Sequence, residues 1–365
     1  MAGLLKNDYL KAVAPRPPAG FTALSRLKKF FAQPANQFLI LGALMLVLFL
    51  LNKINSNLVP SSIINAVATT FIYATVAIGF CLLLGYSGLA SLGTAGFIGI
   101  GCYTGFYMME QAGATYLVAL LTALAISLAL GIVVGFISLR IEGIYLAILT
   151  LGLSEILRNL LMALSSTIKI SLANIKLFGV KVDDKQVFLL IVFMFVVLLI
   201  LTGNLIKSPA GRAMLAMKNS TSAAQAMGIS LMKYRLLAFV ISTVYAAVGG
   251  LMYVMLIPNI TTSTSQLFTL ATSLNILAAV IIGGSKSLWG TLAGTFIIYG
   301  LNATVLNRIA FFSKNPAIIV IVTGLLLILV VMFYPGGLAQ MVKGARAFIK
   351  RKAAAIRRRR YGDED

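Results

Sequence analysis

Histidine is absent from this chain of 365 residues, and acidic residues are scarce, nine in all. Without histidine the commonest general base and the commonest metal ligand are gone, which argues against an intramembrane hydrolase. The two cysteines, Cys81 and Cys102, sit in apolar runs with no ligand spacing around them. They read as buried small residues rather than a disulfide or a metal pair. No Gly-x4-Gly-Lys-Ser/Thr phosphate loop occurs, so the chain does not hydrolyse ATP by that means. No cofactor is expected on it; if ATP is used, it and its Mg are held on a partner chain. Only 11% of residues are charged, against about a quarter in a soluble domain.

What is present is apolar. Hydrophobic residues make up 60% of the sequence and mean hydropathy is +0.98. A bilayer core takes about twenty apolar residues per helix. Spans are predicted near 38–51, 62–84, 89–109, 116–139, 143–164, 187–206, 236–257, 268–283, 287–307 and 316–334, the first and eighth being short. The expected fold is an all-α, polytopic transmembrane bundle of about 8–10 spans.

The net charge of +21 follows from topology. If the N-terminus is inside, 22 of the 30 Lys and Arg fall on inner segments. Six precede the first span, five lie in 207–235, nine follow the last span, and Arg140 and Lys286 complete the set. This asymmetry obeys the positive-inside rule and predicts an even number of spans, N-in and C-in. Residues 1–37 are expected to be a basic cytoplasmic tail leading into an uncleaved signal anchor. Residues 38–340 form the transmembrane domain, and 341–365 a basic cytoplasmic tail ending in Arg357 to Arg360 and an acidic tip. Anionic headgroups attract such a tail, although charge runs after a last span usually just fix topology.

The longest polar interruption, 207–235, is predicted to be the main cytoplasmic surface. It contains Gly211-Arg212-Ala213, then Ala223-Ala224-Gln225-Ala226-Met227-Gly228. Paired alanines give a helix with a small flat face, which Gly228 can end in a C-cap conformation. Such a helix suits a docked partner that must push on the membrane part; the alternative is an ordinary interhelical loop.

Inside the membrane, Gly101-x3-Gly105, Gly131-x3-Gly135 and Gly290-x3-Gly294 each put two glycines on one helix face, which predicts close packing. The dense glycine and hydroxyl run from Gly85 to Phe97 predicts a broken helix or a tight reversal near the inner ends of two spans. Broken backbone at depth survives only against protein or a water-filled cavity. Gly88, Ser91, Gly93 and Thr94 are therefore candidates for the border of a translocation route, at its inner half, with Phe97 oriented toward packed helix. The sequence Ser287-Leu288-Trp289-Gly290-Thr291 echoes Ser91 to Thr94 and hints at an internal repeat. Glu155 and Arg158, at i and i+3 in the fifth span, can pair. Charges at such depth normally face the bundle interior, so the two either line a pathway or fix helix rotation.

The run Gly85-Tyr86-Ser87-Gly88…Ser91-Leu92-Gly93-x-Ala95-x-Phe97-x-Gly99-Ile100-Gly101-x-Tyr103 resembles the signature of branched-chain amino acid ABC transporter permeases of the M-subunit type. So do Leu139-Arg140-x-x-Gly143-x-Tyr145-x-Ala147-Ile148-x-Thr150-Leu151 with Glu155 and Arg158, and Pro209-x-Gly211-Arg212-Ala213…Ala223-Ala224…Gly228-Ile229. Gly283-Gly284…Ser287-Leu288-x-Gly290 and Tyr334-Pro335-x-Gly337-Leu338 complete the series, which spans about residues 60–340 in order. The resemblance implies a non-catalytic permease subunit of an importer in the bacterial or archaeal cytoplasmic membrane. It also implies a second permease, two ATP-binding subunits and a periplasmic or lipid-anchored substrate-binding protein.

This sequence departs from the family pattern at Thr94, where histidine is usual, and at Asn219 to Thr221, which lack an acidic residue. It departs again at Ser166 to Ile170 and at Gly283 to Ser287. These leave the fold intact and bear on the substrate. The expected cargo is a branched-chain or other hydrophobic amino acid. Urea, short amides, sugars or nucleosides are same-family alternatives, and an ion-coupled carrier or channel acting without an ATPase, or a non-transport scaffold, are further ones. On the importer reading, Gly211, Arg212, Ala223, Ala224 and Gly228 form the ATPase contact, with both alanines in the partner's groove.

Overall fold

A computed structural model describes residues 34–54, 60–138, 143–164, 167–170, 175–177, 180–181, 184–261 and 266–301, with short pieces and single positions between 318 and 344. The apolar runs fold as helices because backbone groups in hydrocarbon can be satisfied only within their own segment. They are α1 (Pro34–Ile54), α2 (Ser61–Cys81), α3 (Thr94–Phe106), α4 (Tyr116–Ser138), α5 (Ile144–Leu164) and α6 (Asp184–Lys207). Two short helices follow, α7 (Pro209–Asn219) and α8 (Thr221–Ala226), then α9 (Leu231–Leu256), α10 (Leu270–Gly283) and α11 (Leu288–Thr295). Widened π-helical turns extend α2 (Leu82–Ser87), α3 (Tyr107–Gln111) and α11 (Phe296–Gly300).

Five of the described helices are long and apolar enough to cross a membrane, over 62–87, 116–137, 145–164, 186–207 and 231–256. Shorter apolar helices lie at 36–47, 270–283 and 288–300. The architecture is an all-α polytopic bundle. Its strands among the described residues form two small antiparallel pairs, β1 (Thr167–Lys169) with β4 (Asn259–Thr261) and β2 (Lys176–Leu177) with β3 (Val180–Lys181). Most of the tenth predicted span, most of both tails and Arg140 lie outside the described residues. The third span differs from expectation: its helix starts at Thr94 rather than near 89, because 88–93 runs as non-helical chain.

Helix α9 is the axis of the bundle, with α2, α3 and α4 packed around it. Small residues make this possible. A Cβ at Gly101 would collide with the Ala247 carbonyl, and one at Gly250 with the Ile98 carbonyl. Gly131 lies against Thr243, and Gly135 against Leu236 and Phe239, so the second glycine pair joins α4 to the same axis. The third pair works elsewhere: Gly290 and Gly294 meet Gly283 and Ala279, closing the α10–α11 hairpin. Both thiols are buried and donate to carbonyls, Cys102 to Gly250 at 3.1 Å and Cys81 to Ser285 at 3.1 Å.

Candidate functional site

At its lower end α2 loses its regular register in the π-helical turn, and Gly88 reverses the chain at φ +77°. The turn is held by the Leu89 amide donating to the Leu83 carbonyl at 3.2 Å. From there the backbone re-enters the protein without helical bonds and starts α3 at Thr94. A helix start leaves several amides without partners, costly in a dry interior. Here hydroxyls supply them. The Leu92 amide donates to Thr150 Oγ1 at 3.0 Å, Ala95 to Ser273 Oγ at 3.0 Å and Gly96 to Ser154 Oγ at 2.9 Å. Ser154 is near the midpoint of α5, so α3 begins deep within the bundle rather than at its rim.

Beside this start is a small cavity of about 10 Å³, room for roughly one water. Ser91 and Thr94 line it, facing Ser242 and Thr243 near the middle of α9, with Leu83, Phe97 and Phe239 completing the wall. Set against the sequence expectation, the cavity lies near the middle of α5 and α9 rather than at an inner end, because the loop climbs before α3 starts. Phe97 is packed edge-on against Phe239 of α9, as expected, and also lines the same cavity as Ser91 and Thr94, since one turn of helix brings it round to their face. Gly88 and Gly93 are elsewhere: Gly88 is exposed against the Lys218 stem, and Gly93 is pressed onto the Thr150 carbonyl of α5.

The segment 207–235 forms two short helices. Ser208 caps α7, accepting from the Gly211 amide at 3.3 Å, with Pro209 in the first turn. A Cβ at Gly211 would strike the Leu205 and Ile206 carbonyls, so only glycine allows the sharp α6–α7 junction. Arg212 donates to the Lys207 carbonyl at 2.9 Å. Both residues thus help build the junction within the chain, Gly211 buried and Arg212 exposed. Ser220 caps α8, and Gly228 ends it at φ +78°, with the Ile229 amide donating to the Ala224 carbonyl at 3.0 Å. The paired alanines separate: Ala223 is exposed, whereas Ala224 is 3% exposed and packs within the chain. Successive residues on a helix point about 100° apart, so the two alanines do not form one flat outward face. Every described residue of α8 except Ala224 is exposed, and Ala223 and Ala226 stand beside Met227, which is 82% exposed.

Lys218, which no motif singled out, joins the two features. From α7 its Nζ donates to the Leu84 and Gly85 carbonyls at 2.9 Å each, holding the π-helical end of α2. Burial, and behind it the charge of Lys286, keep this ammonium below the usual lysine range. Around it opens a cavity of about 570 Å³, bordered by Leu84, Lys286, Ser287 and Gln340. Gly85 itself lies directly on the Ser285 carbonyl, in the turn between α10 and α11.

Glu155 and Arg158 form a salt bridge, with Arg158 Nε donating to Glu155 Oε1 at 2.9 Å. Glu155 stands on the open side of α5, 48% exposed at the side chain, while Arg158, 24% exposed, lies four residues on from Ser154 and reaches across the flank of the helix to meet Glu155.

The family described as branched-chain amino acid transport system / permease component matches residues 62–331. The chain belongs to this family. It is a multi-pass membrane permease component, and such components carry no catalytic activity. It is 30% identical over 303 residues to the high-affinity branched-chain amino acid transport system permease protein LivM of Salmonella typhimurium, covering 75% of this chain and 69% of that one. Against LivM of Escherichia coli it is 28% identical over 315 residues, 78% and 72% of the two chains. A probable branched-chain amino acid transport permease protein, LivH, of Methanocaldococcus jannaschii is 34% identical over 149 residues, 40% of this chain and 44% of that one. No solved structure matches.

Proposed function

We infer that the chain is one permease subunit of an ATP-driven importer in the cytoplasmic membrane of a bacterium, with both termini inside. Its cargo is a branched-chain or similar hydrophobic amino acid delivered by an external binding protein. The observation that carries this reading is the Lys218 strap, which links the outward-facing α8 region to the end of α2 and so to the break from which α3 starts. ATP hydrolysis takes place on two partner subunits, one of which meets Ala223, Ala226 and Met227. Displacement of α7–α8 pulls on the Leu84 and Gly85 carbonyls and through them on the 88–93 loop, where Ser91 and Thr94 meet the solute. Hydroxyls without a fixed charge suit a transient site, with selectivity left to the binding protein. The small cavity must widen during the cycle, because about one water's volume cannot admit an amino acid.

The test is reconstitution. Proteoliposomes holding this chain, its second permease and the ATPases should accumulate radiolabelled leucine when binding protein is outside and ATP is inside. Accumulation driven by an ion gradient without ATP would overturn the reading. Uptake of urea in place of leucine would keep the mechanism and replace the cargo.

A further inference from the structure

Helices α4 and α5 are the two most open of the described spans, and their open faces differ in chemistry. Every exposed residue of α4 between Leu117 and Ile137 is apolar, as a face against lipid tails should be. The open face of α5 carries Gly152, Glu155 and Asn159 in one helical stripe among Ile148 and Ile156. The pair of Glu155 with Arg158 lies near the midpoint of the helix, and Asn159 donates its amide only along the helix, to the Glu155 carbonyl at 3.0 Å. Charges and amides at that depth are not left against hydrocarbon. Gly152 has open space where a Cβ would project, which leaves room for another backbone to come close.

We propose that the outward face of α5 is the contact surface for a second permease subunit, and that the Glu155–Arg158 pair sits within that membrane-embedded interface. The occupant follows from depth. Mid-bilayer, a neighbour from outside this chain is either lipid tails or another membrane chain. The charges exclude the first, and an ATPase or a binding protein works outside the bilayer. The proposal rests on the importer reading, which supplies a second permease. It also gives α5 two working faces. Thr150 and Ser154 hold the start of α3 on one side while the stripe meets the partner on the other. The partner then stands one helix away from the Ser91–Thr94 cavity.

The experiment uses the assembled transporter in native membranes, with the photo-crosslinker benzoylphenylalanine replacing Ile156 on α5 or, as control, Val133 on α4. Both sites are well exposed, at 66% and 56%. The expected result is an adduct at position 156 that mass spectrometry identifies as this chain joined to a homologous permease, with none at 133. An adduct at 156 confined to lipid or to this chain, in preparations where ATPase and second permease still co-purify, overturns the proposal and leaves the importer reading standing. Failure of any second permease to co-purify removes both. A second measurement uses the double variant Glu155→Leu, Arg158→Leu. An interface predicts about tenfold weaker association with the second permease, the scale of an interhelical polar contact. A lipid-facing stripe predicts unchanged association and a higher yield of inserted protein.

Discussion

Replacing Lys218 by methionine keeps the stem that lies along Gly88 and removes the ammonium that holds the Leu84 and Gly85 carbonyls. Each bond from a charged donor contributes about 1.5–3 kcal/mol where water is excluded. The site borders an open cavity, so water replaces part of what is lost and screening lowers the electrostatic share. A loss of about 1–3 kcal/mol in the free energy that keeps the turn closed is the appropriate scale, or about 5–150-fold in an equilibrium. The assay is hydrogen exchange on the purified transporter, read at the Leu89 amide, whose bond to the Leu83 carbonyl closes the π-helical turn. Exchange there should accelerate within that range, while amides in the middle of α9 remain as slow as before. Lys218→Arg, which can still donate twice, should recover most of the protection. ATP hydrolysis should persist in Lys218→Met while uptake per ATP falls. Unchanged exchange at Leu89, or equal acceleration along the whole chain, would refute the idea that Lys218 clamps this turn.

Ala223→Arg should block ATPase pull-down with the subunit intact, whereas Ala224→Arg should lower its melting temperature first, because overpacking a buried site costs about 1–3 kcal/mol. Equal behaviour of the two would contradict the way α8 presents its faces. Ser154→Ala leaves the Gly96 amide only its 3.2 Å bond to the Gly93 carbonyl, at a cost of about 0.5–1.5 kcal/mol, measurable as thermal destabilisation in detergent, with Ser154→Thr recovering part of it. Glu155→Gln should reduce the assembled transporter recovered from membranes, and exchanging the two charges should restore some; a normally assembled Glu155→Gln protein that has lost only transport would move the pair into the pathway. With Cys81 and Cys102 replaced, cysteines at Ser91, Thr94 and Phe97 should react slowly with a small soluble thiol reagent at rest and faster during ATP turnover. If position 97 stays inert while the other two respond, the shared cavity is the wrong description.

Much of the bundle was legible in the sequence because hydropathy and small-residue spacing are local signals. The predicted spans at 116–139, 143–164 and 187–206 differ from α4, α5 and α6 by a few residues at most. The three glycine pairs pack as close approaches, and Gly228 caps its helix from the left-handed region that favours glycine. What stayed hidden depends on which way a residue faces or on contacts far apart in the chain. Ala223 and Ala224 look equivalent in a string and point in different directions on a helix. Lys218 reaches carbonyls 133 and 134 residues away, so no periodicity could reveal it. The depth at which α3 starts depends on Thr150, Ser154 and Ser273, hydroxyls from two other helices. Their isolated polar character within apolar runs was the one available hint.

Serine and threonine hydroxyls meet the amides at the start of α3, and the choice of group bears on mechanism. A charged side chain would tie that backbone into a single arrangement, because breaking an ion pair in a dry interior is costly. A hydroxyl bond contributes about 1 kcal/mol net and can be exchanged for a bond to water or to a passing solute. The π-helical turn above Gly88 is a second adjustable element, since a register widened by one residue can return to the regular one by a small local shift. Lys218 grips the turn, and Thr150, Ser154 and Ser273 hold the far end of the following loop. The loop from Gly88 to Gly93 is thus fixed at both ends by bonds weak enough to change partner within a cycle. A rigid α2–α3 connection would transmit force and open nothing. One held by neutral hydroxyls, a few backbone bonds and a single lysine can yield at Ser91 and Thr94 while α9, packed by glycine against three helices, stays in place.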